Sequence, residues 1–95
     1  MILEVITPDA MLFKGQIKQV ILPGLDGSFG VLSNHAPMIS GLAEGTVKVE
    51  QIVDKNREEK EGKFNVEHSN DPVFTFDIKG GVIEVKDNKV MVLAE

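Results

Sequence analysis

The chain has 95 residues, a formal net charge of −5 at pH 7, a pI near 5.0 and no cysteine. That length allows one domain with one core, but not a core plus a deep, dry catalytic cavity. The acidic balance and the lack of any basic cluster exclude nucleic acid as the main partner, and the missing cysteine excludes a disulfide framework and thiolate chemistry.

Hydrophobic residues make up 42% and charged residues 26%, the balance of an ordinary soluble domain. No apolar run approaches the ~18 residues a membrane span needs. Met1-Ile2-Leu3-Glu4-Val5 places an acid where a signal peptide would be unbroken and apolar. The expected setting is cytosolic, not membrane-inserted, though able to sit against a membrane protein.

The hydrophobic period is two throughout. Ile2 to Thr7 reads as a first strand with Leu3 and Val5 inward. Pro23-Gly24, Asp26-Gly27, Asn34 and Gly45 are turn signals, and Ser40 to Gly45 is expected to make at most one helical turn. Thr46 to Val53 sets Val47, Val49 and Val53 on one face, with Gln51 as the odd member, and Lys48 and Glu50 on the other. Asp54 to Glu61 is the best helix candidate, but it has no apolar face and is too short to stand alone. Lys63 to His68 alternates Phe64 and Val66 with Lys63, Asn65 and Glu67. After Asn70-Asp71-Pro72, Phe74, Phe76 and Ile78 oppose Thr75, Asp77 and Lys79. Gly80-Gly81 leads into a hairpin, Val82–Lys86 and Lys89–Leu93, around Asp87-Asn88, two residues that tolerate the positive φ of a type I′ turn. In that register Val85 faces Val90, Ile83 faces Val92, and Lys86 faces Lys89 as a mildly unfavourable pair screened by water. Short strands and frequent turns point to an all-β sandwich or barrel with no long helix.

Of the 25 charged residues, 6 lie in residues 1–47 and 19 in residues 48–95. The first half therefore presents little charge and much Gly, Pro and aliphatic surface, which suits a protein partner better than bulk water.

The residues that could carry chemistry are few. Gly24, Gly27 and Gly30 are spaced by three, unlike a dinucleotide fingerprint, and no Gly-Lys-Ser/Thr follows. They read as glycines at tight turns between strands. His35 in Ser33-Asn34-His35-Ala36-Pro37 could act as a base toward Ser33 or Ser40, but no acid orients it and no Gly-x-Ser-x-Gly elbow is present. A loop histidine bonding backbone or a partner is the preferred reading. His68 is expected to cap the core at a sheet rim. With two distant histidines and no cysteine, no metal site is expected. Phe13, Phe64, Phe74 and Phe76 read as core, while Phe29 stands apart inside the glycine-rich loop.

The run Pro23-Gly24-Leu25-Asp26-Gly27-Ser28-Phe29-Gly30-Val31-Leu32-Ser33-Asn34-His35-Ala36-Pro37-Met38-Ile39-Ser40 resembles the signature of the epsilon subunit of the rotary, proton-translocating ATP synthase. Leu3 to Pro8, Leu12 to Gly15, Lys79 to Val85 and Val90 to Ala94 resemble further blocks of that family, so the likeness covers residues 1–50 and 74–95. Three departures stand out. Ser33-Asn34 replaces the usual Pro-Gly, and Asn can take the same left-handed turn. Ser28 stands where an acid is common, which removes an acidic contact that some members make with the membrane ring. Residues 51–73 are longer and more charged than the usual link, so a charged hairpin extension is expected there.

The resemblance implies one domain over residues 1–95, a small β-sandwich of two antiparallel sheets. It implies a non-catalytic place in the central stalk, between the gamma subunit and the c-subunit ring, at the cytoplasmic side of the cell membrane and without a cofactor. The implied action is mechanical coupling of ring to shaft during proton-driven ATP synthesis. The expected partner contacts are Gly27, Ser28, Phe29 and Gly30 in one loop, and His35, Ala36, Pro37, Met38 and Ser40 in the next segment. Most members continue into a C-terminal helical hairpin that inhibits hydrolysis and in some binds ATP. This sequence stops at Leu93-Ala94-Glu95, where that hairpin would begin, so its regulatory role is not expected of these residues. Two other classes remain in view: a generic protein-binding β-sandwich adaptor, and a small ligand-binding or enzymatic sandwich built on His35.

Overall fold

The computed structural model describes residues 1–52 and 72–95. Eight strands follow in order: β1 (Ile2–Ile6), β2 (Met11–Gly24), β3 (Gly27–Leu32), β4 (Met38–Leu42), β5 (Gly45–Gln51), β6 (Val73–Ile78), β7 (Gly81–Lys86) and β8 (Lys89–Ala94). No helix occurs among the described residues. The strand expected over residues 63–68, the helix candidate over 54–61, Val53, His68 and all but the ends of the hairpin extension expected over 51–73 lie outside them.

β2 organises the fold. Its 14 residues serve two layers. The first half pairs with β1 from Gln16 to Met11, and the second half pairs with β3 on one side and β5 on the other. A register irregularity between Ile17 and Gln19 lies where the two halves meet, and a bulge of this kind bends and twists a strand. One layer is therefore β6-β5-β2-β3. The other is β2-β1-β8-β7-β4, and the end of β4 returns to β2 through the pair Gly24 and Leu42. All pairings are antiparallel except β1 with β8. A parallel pair needs a long crossover, and here the crossover is the rest of the domain.

Alternation places the core between the layers. Leu3, Val5, Phe13, Ile17, Ile83, Val90 and Val92 come from one layer, and Val20, Leu22, Val31, Val47, Val49 and Phe74 from the other, each no more than 1% exposed. The rings of Phe13 and Phe74 meet at 5.1 Å and 52°, a tilted contact that ties the layers together. Gln51 shares the buried face with Val47 and Val49.

The C-terminal hairpin keeps the register read from sequence: Val85 opposite Val90, Ile83 opposite Val92, Lys86 opposite Lys89. Asp87 and Asn88 take φ of 54° and 60°, as a type I′ turn demands. The Lys86–Lys89 repulsion is relieved by protein as well as by water, because Lys89 Nζ lies 3.3 Å from the Glu4 carboxylate on adjacent β1.

One expectation is corrected and one sharpened. Ser40 to Leu42 is strand, not a helical turn, because Met38–Leu42 finds a ladder partner in β7. Gly24 is the last residue of β2 and Gly45 the first of β5, so the turns beside them fall at Leu25-Asp26 and at Ala43-Glu44.

Phe13→Ala should cost about 3–5 kcal/mol, read as a lowered urea midpoint. Gly81→Ala is a second test of the fold. Gly81 has φ +151°, and a Cβ there would collide with the Leu93 carbonyl oxygen. Backbone strain alone is of order 1–3 kcal/mol, so the variant should melt well below the parent.

Candidate functional site

The segment from Leu25 to Ala43 runs from one end of the sandwich to the other and back. β3 descends as the last strand of its layer, residues 33–37 cross between the layers, and β4 returns as the last strand of the other layer. Residues 27–43 contain no Asp, Glu, Lys or Arg.

Gly27 to Gly30, expected as a loop, are the first four residues of β3. Ladder pairing to β2 overrides the low strand propensity of glycine here. Ser28 and Gly30 are exposed. Phe29 is half-buried, packs against the core and lies across the Gly24 backbone, where a Cβ would come within 2.8 Å of its ring.

The crossing segment is held by asparagine. Asn34 adopts φ 62°, the left-handed turn expected of it in place of Gly. Its N–H donates to Asn88 Oδ1 at 2.8 Å, while the carbonyl oxygen of Asn88 accepts from Ile2 N–H at 3.2 Å. One turn residue of the β7–β8 hairpin therefore fastens both the start of β1 and the crossing segment. The His35 N–H donates to the Leu32 carbonyl oxygen at 3.2 Å, and its ring Nδ1 lies 2.8 Å from the carbonyl oxygen of Ala36. Ala36 and Pro37 are exposed beside it. The Ser40 hydroxyl donates to the Gly41 carbonyl oxygen at 3.4 Å, and no hydrogen bond joins it to the His35 ring.

Met38 and Ser40 share a face with buried Leu42 and are half-buried. The residues of β4 on the outer face are Ile39, 73% exposed, and Gly41. Leu25, 69% exposed, folds over Gly41, where a Cβ would come within 2.9 Å of its side chain. From there an apolar row crosses the outer face: Gly41 pairs with Val82, Val82 with Leu93, and Leu93 with Ile6. Val82 and Leu93 are exposed. The sequence reading passed over Leu25, Ile39, Val82 and Leu93. The signal for Ile39 was period-two alternation across Met38–Leu42, which Ser40 and Gly41 obscure.

Elsewhere, an open cleft at the far end of the sandwich is lined by Glu44, Thr46, Asp77, Ile78, Lys79 and Glu95. Thr46 Oγ1 donates to Asp77 there at 2.6 Å. Among the described residues, no group of three or more His, Asp or Glu is placed to hold a metal ion.

The family described as ATP synthase, Delta/Epsilon chain, beta-sandwich domain matches residues 1–60. The ATP synthase epsilon chain of Chlorobaculum tepidum is 36% identical over 93 residues, covering 98% of this chain and 86% of that one. That of Chlorobium limicola is 33% identical with the same coverage. That of Desulforamulus reducens is 34% identical, and this chain spans 57% of its length. Among solved structures, a chain of the Euglena gracilis mitochondrial ATP synthase (OSCP/F1/c-ring) superposes with a TM-score of 0.74 at 23% identity, covering 99% of this chain and 49% of that one. A chain of the Tetrahymena thermophila mitochondrial ATP synthase central stalk/c-ring gives 0.69 at 13%, covering 99% and 62%. The chain belongs to the ATP synthase delta/epsilon β-sandwich family.

Asn88→Gly keeps the positive φ but removes the acceptor for Asn34. It should cost about 0.5–1.5 kcal/mol and speed amide exchange at Asn34 several-fold, with exchange at Val90 and Val92 little changed.

Proposed function

We propose that this member of the delta/epsilon β-sandwich family is a non-catalytic central-stalk subunit of an ATP synthase, joining the gamma shaft to the c-subunit ring during proton-driven ATP synthesis. The observation that carries the reading is the uncharged surface of residues 27–43, set on a chain whose whole length matches epsilon chains. Such surface, rimmed by charge, suits a protein interface. The role is mechanical. Close-packed interiors deform little, so a small sandwich with a continuous core transmits torque between two partners without chemistry of its own. No helix among the described residues is long and apolar enough to cross a membrane. The domain is held as a peripheral part of the complex on the cytoplasmic side.

The contacts assigned to partners are Gly27, Ser28, Phe29 and Gly30 on β3, His35, Ala36 and Pro37 in the crossing segment, and Met38 and Ser40 on β4. Leu25 and Ile39 join them because they are large, apolar and exposed. His35 acts by shape and hydrogen bonding.

The purified chain should form a stoichiometric complex with the gamma subunit, and failure of the folded chain to bind gamma would sink the proposal. Ile39→Asp should weaken that complex at least tenfold, since burying an unpaired carboxylate costs well over 1.4 kcal/mol. Its melting temperature should stay within a few degrees of the parent because Ile39 packs on nothing in the core.

A further inference from the structure

The crossing segment carries one side chain whose hydrogen-bonding state is set by its own backbone. The His35 ring places Nδ1 2.8 Å from the carbonyl oxygen of Ala36. A carbonyl oxygen only accepts, so Nδ1 carries the proton. In a neutral imidazole the other ring nitrogen is then bare, and Nε2 holds a lone pair. Among the described residues Nε2 has no hydrogen-bond partner, and no buried side-chain nitrogen or oxygen there goes unpartnered. Nε2 is therefore open to solvent.

The local sequence holds the ring in this state. Pro37 disfavours the helical region for Ala36 and pushes it toward extended backbone, which limits where the Ala36 carbonyl points. On the other side, the His35 N–H donates to the Leu32 carbonyl oxygen at 3.2 Å and the Asn34 N–H to Asn88 Oδ1 at 2.8 Å. The backbone on both sides of the ring is thus constrained before a partner arrives. The other exposed polar side chains of residues 27–43 are Ser28, Ser33 and Asn34. A hydroxyl rotates, and an amide carries both kinds of group, so each of these can meet a donor or an acceptor. His35 in this tautomer can meet only a donor.

We infer that His35 is a one-way acceptor that selects a partner group donating N–H or O–H to Nε2, and that Ala36 and Pro37 are positioning residues that hold the Nδ1–H tautomer. This rests on the central-stalk reading above and specifies the chemistry of one of its contacts. A carboxylate or carbonyl facing Nε2 would set lone pair against lone pair. A hydrocarbon would leave a buried acceptor unpaired, at the cost of a lost hydrogen bond. The donor belongs to the gamma subunit or to the c-subunit ring. Both are polypeptide and offer the same chemistry, and separate arms of the test tell them apart.

Nitrogen NMR on the purified chain with labelled histidine reads the tautomer, because protonated and bare ring nitrogens resonate far apart. In mildly alkaline buffer, where imidazole is neutral, His35 should show a protonated Nδ1 and a bare Nε2, the reverse of the form that free histidine favours. Pro37→Ala should raise the Nε2–H share several-fold while amide exchange at Val90 and Val92 stays unchanged. Purified gamma and purified ring are then added in separate experiments. With the partner that supplies the donor, the Nε2 signal should move toward the protonated range while Nδ1 stays protonated. His35→Phe keeps a ring without a lone pair and should weaken that complex roughly tenfold. His35→Gln, whose amide oxygen reaches the Nε2 position, should recover part of the loss. A dominant Nε2–H form in the free chain, or a tautomer indifferent to Pro37→Ala, overturns the positioning. Binding of both partners by His35→Phe as tightly as by the parent overturns the acceptor. A parent chain that binds neither partner removes the stalk reading and the donor with it, a result distinct from the tautomer seen in the free chain.

Discussion

Everything in this domain hangs on one strand that belongs to two layers. β2 is hydrogen-bonded to β1, β3, β4 and β5. A sandwich whose layers met only through side chains could slide. Here Phe13 and Ile17 on the first half of β2 enter the same core as Val20 and Leu22 on the second half. A shift of either layer would therefore break ladder bonds as well as packing. Register slips are costly for a related reason: moving any strand by one residue turns its apolar set to solvent.

The same constraint places the candidate site. Because β1 and β3 lie along successive stretches of β2, β1 carries its ladder into one layer and leaves β3 as the end of the other. The chain must then reach β4 across the end of the sandwich, over the β7–β8 turn. Asn34 and Asn88 meet there because each is one of the few non-glycine residues that accept positive φ. The His35-Ala36-Pro37 tip is presented by a fastened loop, which lowers the entropy a partner must remove on binding.

How much was legible depended on whether a strand carried its own alternation. β1, β5, β6, β7 and β8 each place large apolar residues at every second position, and the hairpin register followed from Asp87-Asn88 alone. β3 and β4 were not read as strands. In β3 the outward positions are Ser28 and Gly30, so the alternation is between apolar and nearly nothing, and glycine reads as turn. In β4 the outward positions are Ile39 and Gly41 while Ser40 faces inward, which inverts the expected pattern. Their strand character comes from pairing with β2 and β7, a long-range term absent from any local window. The candidate site shares this limit. The uncharged stretch was visible as composition, but the division of its residues into buried, fastened and presented required the fold.

The glycines of this stretch also acquire a different meaning. Spaced by three, they read as turn glycines and not as a phosphate-binding loop, which would need free backbone N–H groups converging on a point. In the structure Gly24 pairs with Gly27 across the ladder and Gly30 pairs with Ile21, so all three lie in extended strands. Convergence is geometrically impossible in an extended strand, where successive outward groups diverge by two residues of rise. Gly24 instead makes room for the Phe29 ring, and Gly41 for Leu25. Small residues here let large apolar ones lie flat against the backbone. The result is a surface shaped by main chain and hydrocarbon, with little charge to be solvated. Such a surface has few ways to recognise a small polar ligand and many ways to accept another polypeptide.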